Sequence, residues 1–269
     1  MPLIKDIKAG SDPEVFIVDP SGKFVPSFDM LGGSKFNPRP MGRPGFFVQE
    51  DNVALEYNIP PASTVEEFVL NIFDGFELAK KMLPPGHNLK VQASARFTRA
   101  QLRHPKADEF GCEPDKNAWT EDFNERPAIP KNGLRATGGH FHIGYTLEDL
   151  TGPYTTDINI QLAKWCDIYL AVPFMKIDKD LNRRKIYGKA GAYRDKVYGM
   201  EYRSLSSEWL RSRELAAWVY NQAMMAVARV NEGLKPDEKD KNHVLAAVNK
   251  NNKRSINYLV DKYELKYAV

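Results

Sequence analysis

The sequence has little cysteine, because Cys112 and Cys166 are the only two in 269 residues and lie far apart. Disulfide scaffolds and zinc knuckles need more closely spaced thiols, so a reducing compartment is expected. No apolar run approaches the roughly 20 residues that a membrane helix needs. The first five residues, Met1 to Lys5, also lack the apolar stretch of a signal peptide. We therefore expect a cytoplasmic protein with no membrane partner.

Several common motifs are missing as well. The sequence has no Walker-type Gly-Lys-Ser/Thr loop, no kinase glycine loop and no Gly-x-Ser-x-Gly nucleophile elbow. The net charge of +3 is too small to indicate a nucleic-acid partner. Hydrophobic residues make up 42% and charged residues 27% of the chain, which is ordinary for a globular protein with a sizeable core.

The hydrophobic pattern predicts an α+β fold with a largely antiparallel sheet, because strands and helices do not alternate as regular βαβ units. Strands are predicted over residues 14–18, 23–28, 53–59, 89–97, 136–145 and 200–204. Helices are predicted over residues 63–83, 155–172, 213–231 and 240–263, with a Ser63–Glu66 capping box starting the first. Irregular segments are predicted at 29–45, 104–133 and 179–198. We expect residues 1–269 to form one catalytic domain, with C-terminal helices from about residue 212.

Four segments share an unusual pattern of apolar residues on one strand face and ionisable residues on the other. They are residues 11–16, 52–58, 139–145 and 200–203. Carboxylates are normally depleted from strands, so acids repeated on one face of four strands require an explanation. A sheet that gathers them around divalent metal and phosphate provides one.

The acids and histidines in these segments could share one site. Asp12 and Glu14 are two apart, as are His140 and His142, so each pair would lie on one face of its strand. Glu56 is a carboxylate in an otherwise apolar strand, where burial is costly unless a metal or base compensates it. The alternatives are a solvated pair of edge acids and structural histidines. Glu50 shares the face of Glu56 only if no bulge intervenes.

A cationic set accompanies the acids. Arg203 lies two residues after Glu201, and a salt bridge between them is the simpler explanation of that pair. The irregular segment 179–198 is basic and contains glycine, and guanidinium forks suit phosphate oxygens. A donor set of carboxylates with at most two imidazoles and no thiolate favours Mg²⁺ or Mn²⁺ over structural zinc.

These motifs together resemble the carboxylate–amine ligases of the glutamine synthetase and glutamate–cysteine ligase superfamily. The resemblance is closest to the phage-encoded phiEco32-like COOH·NH2 ligase type 2 group. It is carried by residues 10–14, by residues 50–56, by the Gly-x-His-x-His strand at 138–144 and by Glu201-Tyr202-Arg203. It implies a glutamine synthetase-like catalytic domain, in which a curved sheet has helices packed on one side. The Asp-x-Glu of the first strand departs from the Glu-x-Glu of better-known synthetases.

The resemblance also implies roles, because the acids and the first histidine of that family bind two or three Mg²⁺ or Mn²⁺ ions that hold ATP. The metal ligands expected from it are Asp12, Glu14, Glu56, His140 and Glu201. The residues expected to bind ATP are Lys35, His142, Arg184, Lys189, Arg194 and Arg203. Those expected to act in catalysis are Glu56, Arg194 and Arg203.

The function expected from this resemblance is ATP- and Mg²⁺-dependent amide formation between a carboxylate and an amine through an acyl-phosphate. The substrates would be small molecules or peptides, with nucleic acid involved only if a modified base is the substrate. If the protein is phage-encoded, it would act in the host cytoplasm. Three other functions stay open: a guanidino-kinase-like phosphotransferase, a metal-dependent hydrolase using the two histidines, and a non-catalytic phage binding or structural protein.

Overall fold

The computed structural model describes residues 3–108, 114–125, 128–148 and 155–268. Cys112 and parts of the predicted irregular segment 104–133 lie outside these ranges. The strands are β1 (Ile4–Ser11), β2 (Glu14–Val18), β3 (Phe24–Val25), β4 (Arg39–Pro40), β5 (Phe47–Asp51), β6 (Ala54–Asn58), β7 (Asn88–Lys90), β8 (Ser94–Arg96), β9 (Lys116–Asn117), β10 (Asp122–Phe123), β11 (Leu134–Ala136), β12 (Phe141–Leu147), β13 (Ala192–Lys196) and β14 (Gly199–Tyr202). The helices are α1 (Val65–Lys81), α2 (Thr155–Cys166), α3 (Val172–Phe174), α4 (Leu181–Ile186), α5 (Arg213–Asn231), α6 (Lys241–Lys250) and α7 (Lys253–Tyr263).

The strands form two larger sheets and one small one. The first sheet has the order β1-β12-β14-β13-β9-β10, and the second has β3-β2-β6-β5-β4 with β7 also paired to β2. Strands β8 and β11 form the small sheet. Every strand pair within the described ranges is antiparallel, which confirms the predicted α+β class.

The chain crosses from the first sheet to the second at Asp12 and Pro13. Strand β1 ends at Ser11 and β2 begins at Glu14, so the predicted continuous strand 11–16 does not exist. Pro13 has no N–H for a strand ladder, which is why the two strands separate there. The carbonyl of Pro13 accepts a hydrogen bond from the Tyr57 N–H at 3.1 Å, so the crossover is tied to β6.

Helices cover the sheets and complete the core. Helix α1 packs on β1 and β6, α2 packs on β13 and β14, and α5 packs against both helices. The buried side of α1 carries Phe68, Ile72 and Ala79 at helical spacing. A Cβ at Gly75 on that side would lie 2.8 Å from the Tyr57 ring, so only glycine lets this helix approach β6 so closely.

Several predicted elements change in the structure. Helix α1 begins after Thr64, whose side chain accepts from the Glu67 N–H, so the cap lies one residue later than predicted. The predicted strand 89–97 is two strands in different sheets, β7 and β8. The predicted helix 155–172 is interrupted by a π-turn at Asp167–Ala171. The predicted helix 240–263 is two helices, because Asn251 adopts a left-handed conformation after α6.

The predicted irregular segment 179–198 contains α4 and β13. No helix in the described part of the chain is long and apolar enough to cross a bilayer. The expectation of one domain over the whole chain stays a prediction.

Candidate active site

The ionisable strand faces meet in a cleft of about 580 Å³ between the two larger sheets. Strand β12 pairs with β1 on one side and with β14 on the other, so it brings the histidines between Asp12 and Glu201. Strand β2 continues from the same crossover into the second sheet. Nearly all the predicted site residues line this cleft. They are Asp12, Glu14, Lys35, Glu56, His140, His142, Arg194, Glu201 and Arg203.

One group of potential ligands, the histidine triad, consists of Asp12, His140 and Glu201. His140 Nδ1 lies 3.2 Å from Asp12 Oδ1 and 3.5 Å from Glu201 Oε1. The side chains of His140 and Glu201 are almost completely buried, whereas Asp12 keeps limited solvent contact. Three donor atoms of this kind within 4.8 Å of one another could hold one divalent cation.

A second group, the carboxylate triad, consists of Glu14, Asp51 and Glu56. Strand pairing places Glu14 directly opposite Glu56. In the β5–β6 hairpin Asp51 pairs with Ala54, which lies on the same face as Glu56. Like charges directly opposite on neighbouring strands are destabilising, so this arrangement favours a cation between them.

Glu14 also connects the two triads. Its Oε2 accepts hydrogen bonds from the Gly138 N–H and the Tyr187 hydroxyl, each at 2.7 Å. Its Oε1 lies 3.8 Å from His140 Nε2, a buried nitrogen with no hydrogen-bond partner among the described residues. The imidazole of His140 thus lies between the triads, with one nitrogen directed at each.

The pKa values differ between the triads. In the carboxylate triad, loss of solvent and then the charge of Glu14 raise the pKa of Asp51 to about 7. Loss of solvent, followed by repulsion from the neighbouring acids, raises the pKa of Glu56 well above its ordinary value. In the histidine triad, burial opposes ionisation of Asp12, but attraction to His142 and His140 holds its pKa well below the ordinary value.

These features fit a pair of hard divalent cations better than an empty polar pocket. The donors are five carboxylates and an imidazole, and no thiolate is among them. Hard oxygen ligands suit Mg²⁺ and Mn²⁺, and a nearby dication would favour the ionised forms of Asp51 and Glu56. The unpartnered His140 Nε2 and the facing pair of Glu14 and Glu56 are both accounted for in that way.

A cationic group lies next to the histidine triad, on β13 and directly after β14. Arg203 contacts Glu201, and its Nε lies 2.8 Å from Asp115 Oδ1. Arg194 reaches the same oxygen of Asp115 at 3.1 Å, so one buried carboxylate holds both guanidinium groups. Lys196 Nζ lies 2.6 Å from Glu201 Oε2. Burial opposes ionisation of Glu201, but Arg203 more than compensates and lowers the pKa of that carboxyl.

His142 is held at the rim of the cleft. Its Nε2 lies 3.1 Å from Asp12 Oδ1, and its Nδ1 lies 2.9 Å from the Tyr198 hydroxyl. Burial disfavours the imidazolium, but the charge of Asp12 outweighs this and raises the pKa of His142. The two histidines therefore contact one carboxylate from neighbouring positions on the β12 segment.

Two predicted ATP-binding residues do not reach the cleft. Arg184 is buried, and its guanidinium binds the carboxylate of Asp178 at 2.9 Å and the carbonyls of Gly188 and Ser204. The prediction that Arg184 binds ATP is therefore corrected, because its guanidinium donors are directed at these groups in the protein interior and not at the cleft. Lys189 is exposed and is not among the residues that line the cleft.

Glu50 lies on the opposite face of the hairpin from Glu56, because it pairs with Leu55. Its carboxylate accepts hydrogen bonds from the N–H groups of Asp29, Leu31 and Gly32. Glu50 thus holds the loop whose tip carries Lys35 at the cleft. Glu50 lines the cleft but belongs to neither triad.

The sequence motifs do not predict four residues at the site, which are Asp51, Asp115, Tyr187 and Lys196. Asp51 could have been found from the hairpin, since a two-residue turn at Asn52 and Val53 brings it onto the face of Glu56. Glycine is required at both positions before His140, because a Cβ at Gly138 would collide with His140 Nε2 at 2.3 Å and one at Gly139 with Trp209 Nε1 at 2.2 Å.

Comparisons with solved structures give distant similarities. The chain is similar to a bifunctional glutathione synthetase from Pasteurella multocida at 11% identity and a TM-score of 0.45, over 96% of this chain and 49% of that one. It is also similar to a novel glutamine synthase homologue at 14% identity and a TM-score of 0.37, over 97% of this chain and 65% of that one. The chain thus spans about half the length of the synthetase. No curated protein matches.

A family model described as phage phiEco32-like COOH·NH2 ligase, type 2, matches residues 128–266. This range is more than half of the chain and contains His140, Arg194, Glu201 and Arg203. Its match agrees with the resemblance seen in the sequence motifs. The chain belongs to the phiEco32-like COOH·NH2 ligase type 2 family.

Proposed function

We propose that this protein is an ATP- and Mg²⁺- or Mn²⁺-dependent ligase that joins a carboxylate to an amine. The observation that carries the proposal is the pair of triads in one cleft, with two arginines held beside them by Asp115. Family membership supports the carboxylate–amine chemistry. In the proposed reaction ATP phosphorylates the carboxylate, and the amine then attacks the acyl-phosphate and releases phosphate.

The donor sets assign the binding roles. Asp12, His140 and Glu201 would hold one cation, and Glu14, Asp51 and Glu56 would hold a second. When bound, such cations bridge phosphate oxygens and offset the charge on the transferring group. His140 lies between the triads, with Nδ1 near Asp12 and Glu201 and Nε2 near Glu14.

The guanidinium groups of Arg194, on β13, and of Arg203, directly after β14, supply fixed positive charge. A planar fork can hold two phosphate oxygens at once, which suits the γ-phosphoryl group and the acyl-phosphate. Asp115 restrains both groups before ligand arrives, so little reorganisation is needed during transfer. Lys196, next to Glu201, adds a third cation at the same end of the cleft.

The cleft is large enough to bind small-molecule substrates. Its volume of about 580 Å³ lies within the range of small-molecule sites. Binding the carboxylate and amine side by side supplies the proximity that a bimolecular amide synthesis lacks in water. Lys35 lines the cleft from the Glu50-held loop, where it would meet an anionic group of ATP or substrate.

The proposal is tested by comparing small molecules and nucleosides, by mass spectrometry, in cells that express the wild type or Glu56→Gln. Glu66→Gln, an exposed acid on α1, is the matched control. We expect a condensed amide in wild-type and Glu66→Gln cells and none in Glu56→Gln cells. The purified protein should then release phosphate only when both substrates are present.

Other outcomes identify the other functions. A phosphorylated guanidine without phosphate release would indicate a guanidino kinase. Cleavage of a substrate by water without ATP would indicate a metal-dependent hydrolase. Binding of Mg·ATP with no product in any cell extract would indicate a non-catalytic protein.

A further inference from the structure

A buried carboxylate outside the cleft, Asp167, lies beneath the end of β14, which carries Glu201 and is directly followed by Arg203. Asp167 is 0% exposed and starts the π-turn between α2 and α3. Its Oδ1 accepts from the Tyr202 hydroxyl at 2.6 Å and from Ser204 Oγ at 3.2 Å. Its Oδ2 accepts from Trp119 Nε1 at 2.6 Å. The Gly191 N–H also favours the ionised form of this carboxylate and helps to lower its pKa.

The partners of Asp167 belong to three separate segments of the chain. Trp119 follows β9, Gly191 precedes β13, and Tyr202 ends β14. The backbone joins these segments too, because the Ala118 N–H donates to the Gly191 carbonyl and the Arg203 N–H donates to the Ala192 carbonyl. A single carboxylate thus ties together three pieces of chain that are distant in sequence.

Each of these segments also supplies one member of the ion-pair cluster beside the cleft, in which the Asp115 carboxylate holds two guanidinium groups. Asp115 lies four residues before Trp119, Arg194 lies three residues after Gly191, and Arg203 directly follows Tyr202. Tyr202 is completely buried, whereas its neighbours Glu201 and Arg203 line the cleft. These segments therefore present partners of Asp167 to the interior, while Arg194 and Arg203 line the cleft.

Burying a carboxylate in this way costs free energy of folding, so the presence of Asp167 requires an explanation. Loss of solvent raises the pKa of Asp167 to about 6, despite the four donors. An uncharged residue would avoid the desolvation penalty but could not accept from all of these groups. Two like-charged guanidinium groups that share one oxygen of Asp115 need their backbones held in register.

We propose that Asp167 is a positioning residue that sets the placement of Arg194, Asp115 and Arg203 by anchoring their three segments from beneath. The consequence for Mg·ATP binding rests on the function proposed above. The placement itself does not depend on that function. π-Turns inside helices often occur near functional sites, and here the turn begins at the anchoring residue.

The test is the Asp167→Asn variant, whose neutral amide offers one acceptor oxygen where the carboxylate offers two, so Tyr202, Ser204 and Trp119 cannot all keep their present hydrogen bonds. The matched control is Asp240→Asn. Asp240 is also completely buried and accepts from Tyr258 at 3.1 Å and Tyr263 at 2.5 Å, but in the C-terminal helices. Each variant is measured for melting temperature, Mg·ATP affinity by calorimetry and metal-free crystal structure.

We expect both variants to melt earlier and only Asp167→Asn to bind Mg·ATP at least about ten-fold more weakly, the scale of one lost hydrogen bond to a charged group. Its crystal structure should show Arg203 or Arg194 moved from Asp115. Wild-type affinity with unmoved arginines would overturn the inference. If Asp167→Asn does not fold, Tyr202→Phe removes one donor and should give the same shift on a smaller scale.

The two proposals can fail separately. A wild-type protein that binds no Mg·ATP contradicts the proposed function, and the crystal structures of the variants still decide the role of Asp167. Wild-type binding together with an unaffected Asp167→Asn variant contradicts only the positioning role.

Discussion

The two triads of the cleft are built from similar residues but stabilised differently. The histidine triad contains its own imidazole and contacts Arg203, His142 and Lys196, and the pKa values of Asp12 and Glu201 are lowered. The carboxylate triad consists of three acids, and the pKa values of Asp51 and Glu56 are raised. The first is organised by the protein itself, whereas the second would be stabilised most by a bound cation.

The largest effect is expected from removing one ligand of each triad. Glu56→Gln and His140→Ala should both abolish amide formation, because each would leave a cation with an incomplete set of ligands. The apolar faces of their strands are untouched, so circular dichroism should show an intact fold. Glu66→Gln and His87→Ala, outside the cleft, are the matched controls and should keep full activity. Activity within a few-fold of wild type in both site variants would mean that neither residue is a ligand.

Arg203→Lys should lower turnover by about 10²–10³, the scale for removing one preorganised donor. Affinity for ATP should change much less, because lysine keeps the charge but loses the fork. Turnover, ATP affinity and melting temperature of this variant separate catalysis from structure. Normal turnover with a lower melting temperature would show that Arg203 serves only as an ion-pair partner of Glu201 and Asp115.

Metal titrations can resolve the two triads individually. We expect Asp12→Asn and Asp51→Asn each to lose one class of Mn²⁺ site in paramagnetic resonance titrations and to keep the other. In metal-free protein, Asp51→Asn should raise the melting temperature, since it relieves repulsion, and Asp12→Asn should lower it, since it removes the partner of two histidines. Equal effects of both substitutions on melting would contradict the difference between the triads.

A smaller effect is expected from pH. The folded-state pKa of Asp51, about 7, lies above its ordinary value of 3.8, so the metal-free folded state binds more protons than the unfolded state between these values. Its stability should therefore fall as pH rises from 5 to 8. The raised pKa values of Glu56 and His142 act in the same direction.

Metal binding should reverse this dependence, because it requires the ionised carboxylates. The melting temperature gained on adding Mn²⁺ should be larger at pH 8 than at pH 5. Asp51→Asn should reduce the pH dependence of the metal-free protein. A metal-free stability that rises steadily from pH 5 to 8 would be inconsistent with the raised pKa values.

The sequence indicated much of the site because its acids and histidines lie on strands with a clear period-two pattern. The sequence does not predict Asp51 at the site, because the turn at Asn52 and Val53 lacks the Asn-Gly signature of a two-residue hairpin that would place Asp51 opposite Ala54. Asp115 lies in a segment without periodicity, and only long-range pairing brings it to Arg194 and Arg203.

Charge pattern alone also could not place the arginines. Arg184 and Arg194 both belong to a basic segment, but Arg184 lies on α4, where it turns inward to Asp178. Arg194 lies on β13, opposite Glu201, and so lines the cleft. The difference depends on where α4 ends and β13 begins, and this boundary is set by tertiary packing.

The most direct measurement is calorimetry of ATP binding to the wild-type protein with Mg²⁺ and, separately, with EDTA. If the two triads hold the cations that bind the phosphates, ATP should bind with Mg²⁺ or Mn²⁺ and show no measurable heat with EDTA. Tight ATP binding that is unaffected by EDTA would contradict the assignment of both triads as metal sites.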